Sequence, residues 1–334
     1  MVVGAWWPVL GQWRWAVSAL VVAGALASAA GGEAVEPVEV LLGHVSTVDA
    51  VAFAPDGKLL ASGGGYTDGS VRLWDVASGE PKGTVLTVPG RVAGLAFSPD
   101  GKSLAVGGSD GLVRVLDPAS AEVRLLLRMK QAGGVNGVAF SPDGSRLAAV
   151  CDADVAGQMW SAKTGEPVAA MSLRFGATSI AWSPKGGTVA GGGRYGAVAL
   201  WNARTGGLTG TLKVGKSPPA IVFSPDGAWL VSGVKNAAVQ IWDVQKGKLF
   251  RRLTMRTSRA PMAFSPDGRL LATGSDGDAV CLWKPKEGHL VGSLDGRGGR
   301  AWSLAFSPDG KLLASGGADG AVRLWDVSGV PKGQ

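Results

Sequence analysis

The sequence predicts an all-β protein built from seven copies of one four-stranded antiparallel unit, and two observations predict it. The first is a pentapeptide that keeps returning: Phe53-Ala-Pro-Asp-Gly57, Phe97-Ser-Pro-Asp-Gly101, Phe140-Ser-Pro-Asp-Gly144, Trp182-Ser-Pro-Lys-Gly186, Phe223-Ser-Pro-Asp-Gly227, Phe264-Ser-Pro-Asp-Gly268 and Phe306-Ser-Pro-Asp-Gly310. Its spacings are 44, 43, 42, 41, 41 and 42 residues. A period of that size marks stacked supersecondary units, none of which can bury its faces alone. The second observation is composition. The 334 residues include 53 Gly and 18 Pro, nearly twice their ordinary share of about 12%. Each Gly inside a helix costs roughly 1 kcal/mol relative to Ala, so a helical protein is excluded. The glycines lack the three-residue period of collagen. With 46% hydrophobic and 18% charged residues, neither a disordered acidic chain nor a coiled coil fits.

Residues 1–30 differ from all that follows. Arg14 is their only charged side chain; an apolar run from Ala16 to Leu26 follows it, and Ala27-Ser28-Ala29 fits the small-x-small pattern of a signal peptidase site. The run from Trp15 to Ala30 is shorter than the ~20 residues that cross a bilayer as a helix. The expectation is a signal peptide over 1–29, cleaved near Ala29, and an exported (periplasmic or secreted) protein. A membrane anchor retaining residues 1–30 is one alternative, and a misassigned start is another. Residues 30–37 read as a short tail, 38–329 as the repeat domain and 330–334 as a C-terminal tail.

Within the first repeat, Val48–Phe53 is an apolar strand, and Pro-Asp-Gly supplies the turn, since Pro presets φ and Gly accepts positive φ. Lys58–Ser62 is the second strand. Asp68-Gly69 marks the next hairpin turn and Val71–Asp75 the third strand. A fourth strand near Gly83–Val88 leads into the next repeat. Such a meander of ~40 residues has the size of a propeller blade. The third strands end at Trp74, Leu116, Trp160, Trp201, Trp242, Trp283 and Trp325, one position occupied by six of the nine Trp beyond residue 30. A large ring there fills the space between stacked sheets. The last repeat stops after its third strand, while Val38–Leu42 is an orphan strand before the first. That N-terminal strand is expected to complete the last blade, closing a seven-bladed β-propeller and removing an open edge.

The pattern resembles the WD-repeat β-propeller family over about residues 43–326. Trp74-Asp75, Trp242-Asp243 and Trp325-Asp326 carry the name-giving dipeptide, and Gly43-His44 its second signature. The other repeats read Leu116-Asp117, Trp160-Ser161, Trp201-Asn202 and Trp283-Lys284. The resemblance implies a hydrogen-bonded tetrad of His44, Ser62, Asp68 and Trp74. Six repeats lack the His, so most blades are expected to depend on apolar packing. The resemblance also implies that ligands meet the face formed by the loops entering strand one and the turns between strands two and three.

Catalytic machinery is not written here. Gly107-Gly-Ser109-Asp-Gly111 fits a hydrolase elbow and Gly191-Gly-Gly193-Arg-Tyr-Gly196 a dinucleotide fingerprint, but both lie in hairpin turns with no helix to follow. His44 and His289 fall in different blades. Asp152/Asp154 and Asp276/Asp278 lack the further ligands of a calcium loop. Cys151 and Cys281 stand 130 positions apart, with neither metal-knuckle nor disulfide spacing. No cofactor or metal is expected.

The formal charge is +7. The loops entering strand one carry Arg91, Lys130, Arg174, Lys216, Arg256, Arg259, Arg297 and Arg300, a basic collar that would attract anionic groups. Acids in the turns on the same face (Asp68, Asp110, Asp154, Asp276, Asp278 and Asp319) oppose it. Four residues before each pentapeptide aromatic stand Asp49, Ala93, Asn136, Thr178, Pro219, Ala260 and Trp302, at the channel rim. Trp302 stands out there, since large aromatics are enriched among interface hot spots. The expected function is a monomeric, non-catalytic platform for a protein partner. Trp302, Arg300, Arg259, Arg91, Arg174, Lys216, Asp49 and Asn136 are the candidate contacts. Aromatic interleaving is too thin for a nucleic-acid partner. The alternative is an enzyme or carbohydrate binder using the central channel, for which Asp49 is the one channel-facing carboxylate found.

Overall fold

The structure is a computed structural model that describes residues 35–130, 133–153, 157–173, 176–193, 195–215, 220–233, 238–255, 261–296 and 299–330. The expected signal peptide, its cleavage site at Ala29 and the alternative anchor lie outside the described residues.

Seven four-stranded sheets form, each a meander in which every strand pairs antiparallel with the next. The strands of a blade are called a to d from the channel outward. In blade 1 they are Val48–Phe53, Leu59–Gly64, Ser70–Asp75 and Pro81–Thr87. Strand a of each blade neighbours strand a of the next, and Val48–Phe53 neighbours Ala301–Phe306 of blade 7, so the ring is closed. Ser303 Oγ donates to the Val48 carbonyl across that junction at 3.3 Å.

Closure is made as the orphan strand suggested. Glu39–Leu41 pairs antiparallel with Val322–Asp326 and supplies strand d of blade 7. The chain before it is held as well, because Val35 makes an isolated parallel bridge to Leu294 of blade 6. The N-terminal strand covers the strand c edge that the last repeat would otherwise leave open.

The seven Pro-Asp-Gly or Pro-Lys-Gly turns share one geometry, with Gly57, Gly101, Gly144, Gly186, Gly227, Gly268 and Gly310 at φ between 64 and 79°. A side chain is strained there. In five turns the pentapeptide Ser donates to the Asp carboxylate, as in Ser98 Oγ to Asp100 Oδ1 at 2.6 Å.

Because side chains alternate along a strand, each blade buries both faces, and seven apolar clusters fill the seven junctions. Between blades 7 and 1, Leu41, Ala314, Val322 and Leu324 meet Val51, Leu60 and Trp74. Between blades 1 and 2, Val71 and Leu73 meet Leu104 and Leu116. The residues predicted to pack between blades, Trp74, Trp160, Trp201, Trp242, Trp283 and Trp325, are all buried, as is Leu116 in their place in blade 2.

Candidate functional site

The implied tetrad forms in blade 1. Trp74 Nε1 donates to Ser62 Oγ at 2.7 Å, Ser62 Oγ lies 2.7 Å from His44 Nε2, and His44 Nδ1 lies 2.5 Å from Asp68 Oδ2. One set of proton positions satisfies all three contacts: Ser62 donates to a neutral imidazole, whose Nδ1–H donates to ionised Asp68. Burial pushes the His44 pKa below the ordinary value, against the pull of Asp68. Burial raises the Asp68 carboxyl, but the hydrogen bonds from Ser70 and His44 outweigh it and hold it below the usual range. Both shifts agree with that arrangement.

The polar network extends further than the missing histidines suggested. Trp242 donates to Ser232 Oγ at 3.2 Å, Trp283 to Thr273 Oγ1 at 2.9 Å and Trp325 to Ser315 Oγ at 3.0 Å. Strand b of blade 4 has Gly191 where these blades have a hydroxyl. A Cβ at Gly191 would lie 2.3 Å from the Trp201 ring, and Trp201 donates instead to the Ser172 carbonyl at 3.1 Å.

The a–b and c–d turns of a meander lie at one end, and the b–c turns and the loops entering strand a at the other. This second end is the rim expected to carry contacts. In five blades the rim residue four before the pentapeptide aromatic sits at a register shift in the a–b pairing: Asp49, Ala93, Asn136, Thr178 and Trp302. A bulge re-aims the side chain it carries. Pro219 and Ala260, the remaining two, lie outside the described residues.

Two of these side chains tie neighbouring blades together. Asp49 accepts from Thr47 Oγ1 at 2.7 Å and pairs with Arg91 of blade 2 at 3.3 Å. Asn136 donates to Asp152 at 2.6 Å and to the Ala177 carbonyl of blade 4 at 3.0 Å. Thr178 donates to the Gly192 carbonyl within its own blade. Trp302 is half-buried.

The basic collar is largely neutralised where it is described. Arg91 pairs with Asp49, and Arg300 pairs with Asp276 of blade 6 at 3.0 Å. Lys130 is exposed. Arg174, Lys216, Arg256, Arg259 and Arg297 lie outside the described residues, as does Asp154. Of the opposing acids, Asp110 and Asp319 are held bidentately by Arg114 and Arg323.

Composition alone hid one rim feature. The chain has two Tyr, and both fall in b–c turns, Tyr66 at 69% and Tyr195 at 73% exposure. The Arg91 guanidinium lies 5.8 Å from the Tyr66 ring centroid, within reach of a cation–π contact. The signal was the placement of a rare residue in equivalent turns.

The refused motifs have structural roles. Ser109 Oγ accepts the Arg91 amide at 2.9 Å, and Gly191 makes room for Trp201. His44 is bound within its tetrad, and His289 is exposed on an outer strand. Burial raises the thiol pKa of both Cys151 and Cys281.

A closed ring of seven four-stranded blades, with Trp packing between them and loops gathered at one rim, defines a β-propeller. Comparison with known families matches "WD domain, G-beta repeat" (WD40) over residues 35–75, 81–117, 125–155, 207–243, 262–284 and 288–326. These spans cover more than half of the chain, and the protein belongs to the WD-repeat family. The unmatched stretch from 156 to 206 holds the outer two strands of blade 3 and the first three strands of blade 4. A search of curated proteins found no match.

Proposed function

We propose that this protein is an exported, non-catalytic platform that binds a protein partner through its channel-rim loops, with Trp302 as the anchor. Propellers of this family bind protein partners, and that coarse reading follows from the repeats. The observation that carries the finer one is the bulge at Ala301–Ser303, which sets the large ring of Trp302 at a rim position where other described blades have Asp, Ala, Asn or Thr. Trp, Tyr and Arg are the residue types that most often carry binding energy at interfaces. Trp302, Tyr66, Tyr195, Arg91 and Arg300 all belong to that rim. The paired state of Arg91 and Arg300 assigns them to orientation and specificity more than to raw attraction. Export is read from residues 1–29. The channel carboxylate Asp49 is engaged by Thr47 and Arg91, which favours binding over catalysis.

The test is capture of partners from an extracytoplasmic fraction by immobilised wild type, Trp302→Ala, and a variant combining Arg259→Glu with Arg300→Glu. The proposal expects capture by wild type and its loss in Trp302→Ala at low and moderate salt. Capture that both variants retain would remove the rim as the binding face. The intact mass of the extracytoplasmic protein tests export: a mass that includes Met1 contradicts cleavage.

A further inference from the structure

On the face opposite the rim, the a–b and c–d turns of neighbouring blades enclose a cleft. The cleft between blades 2 and 3 measures about 450 Å3 and presents Asp100, Asp143 and Lys163. That between blades 5 and 6 measures about 70 Å3 and presents Asp226, Asp267 and Lys286. Each sets two carboxylates against one cation. Between blades 3 and 4 the cleft is the largest of the three, about 700 Å3, and its sign is reversed: Arg146, Lys185 and Arg204 face a single Asp143.

Two of these cations are departures from the repeat. Lys185 occupies the pentapeptide position where the six other turns have Asp. Arg146 opens strand b, where the other blades have Leu59, Ser103, Thr188, Trp229, Leu270 and Leu312. They come from different blades, and the packing of blade 3 against blade 4 brings them to one cleft. Arg146 Nη1 donates to the carbonyls of Ala203 at 2.6 Å and Arg204 at 3.3 Å, which fixes the guanidinium on the cleft wall. Among the described residues, no carboxylate pairs with Arg146, Lys185 or Arg204. Asp226 in the next turn feels Lys185 without forming an ion pair with it. Asp143 is occupied by Ser141 Oγ at 2.5 Å, Ser145 Oγ at 2.9 Å and the Ser145 amide at 3.0 Å.

Trp182 links this cleft to a second surface. It lines the cationic cleft and also an apolar hollow of about 430 Å3 shared with Phe53, Phe97 and Phe140, the pentapeptide aromatics of blades 1 to 3. Its Nε1 is fixed to the Gly186 carbonyl at 3.1 Å. The combined surface is far larger than one phosphate or carboxylate needs. It offers cations beside an aromatic and apolar floor, which suits an extended chain carrying both kinds of group.

We propose that the cleft between blades 3 and 4 is a second docking site, which takes an acidic segment of a partner polypeptide. Carboxylates of the segment meet Arg146, Lys185 and Arg204, where Arg can bind bidentately, and a flanking apolar side chain lies on Trp182. The site is on the opposite face from Trp302 and does not depend on the rim reading.

The probe is a fluorescein-labelled octapeptide of Asp and Glu with one Leu, titrated against the full chain by anisotropy at low and moderate salt. Lys185→Asp restores the residue that the six other turns carry, so it should melt as the wild type does, and it should weaken binding by about tenfold or more. Arg146→Thr should act in the same direction. Lys286→Asp makes the same charge change in the equivalent cleft of blades 5 and 6 and should leave affinity within about twofold. Trp302→Ala should not affect this peptide. The proposal is overturned by absence of peptide binding, by equal loss in Lys286→Asp (attraction by overall charge), or by loss in Trp302→Ala (a rim site). Displacement of the peptide by stoichiometric inorganic phosphate would mark a small-anion site and overturn it as well.

Discussion

Blades 1 and 7 lie side by side where the ring closes, and they hold equivalent turn carboxylates in different ways. In blade 7, Asp319 is clasped by Arg323 of strand c, with contacts of 2.6 and 3.1 Å. In blade 1, His44 takes Asp68, and Arg72, the counterpart of Arg323, is left with its Nε buried and unpartnered among the described residues. Blade 2 repeats the arginine solution with Asp110 and Arg114. The Trp-to-Ser bond beneath is common to blades 1 and 7, at 2.7 and 3.0 Å. Arginine at this strand-c position therefore replaces the histidine as the group that holds the turn, while the Trp and the apolar junction remain the shared frame. The frame carries most of the stability and the turn group tunes it.

Breaking the shared frame should have the largest effect. Trp74→Ala and Trp325→Ala each open a cavity at a blade junction and should cost ~3–5 kcal/mol in chemical denaturation. Markedly unequal losses in the two blades would mean that the frame is not shared.

Removing the turn carboxylates comes next. Asp319→Ala leaves the largely buried Arg323 without its partner, and about 2 kcal/mol is expected after allowing for the partial exposure of Asp319. Asp68→Ala leaves a neutral His44 with Ser70 Oγ still 3.2 Å away, so about 1 kcal/mol is expected. A larger loss in blade 1 than in blade 7 would reverse the comparison.

Acid should separate the two solutions. Burial holds the folded pKa of His44 below its ordinary value of 6.5, so its contribution is present above that value and is lost as pH falls through the folded pKa. Burial raises the Asp319 carboxyl, but the hydrogen bonds and charge of Arg323 together with backbone amides lower it by more, so its contribution is present above 3.8 and fades only as pH falls further. Between pH 6.5 and the carboxylate range, wild-type stability should therefore decline. The decline should be smaller in His44→Gln and unchanged in Asp319→Asn. Equal slopes in wild type and His44→Gln would contradict the neutral imidazole.

The ties at the rim should matter least for stability. Asn136→Ala should cost about 1 kcal/mol, and Asp49→Ala less, because Arg91 is partly solvated. If either variant melts like Trp74→Ala, the bulge residues belong to the frame.

Much of this was legible in the sequence because it repeats. The pentapeptide period gave the seven units, the orphan strand gave the closure, and Gly43-His44 pointed to the one complete tetrad. Counting four back from each aromatic found the rim residues but not the bulge that distinguishes them, since alternation alone does not show an inserted residue. The pairing of Arg91 with Asp49 and of Arg300 with Asp276 joins residues 42 and 24 positions apart across blade junctions. Those distances exist only once neighbouring blades pack side by side. Reversal of charge beside Lys185 stayed hidden for the same reason, because Arg146 and Arg204 belong to different repeats. Trp201 departed from its equivalents because Gly191 gave its ring room.

Repeat positions build the disc, and both proposed docking sites rest on departures from the repeat. The thermal midpoint of Trp302→Ala, read on the same sample as its partner capture, tests this most directly. The account predicts a midpoint within a few degrees of wild type and capture lost. A large fall in the midpoint with capture retained would make Trp302 part of the frame and contradict the account.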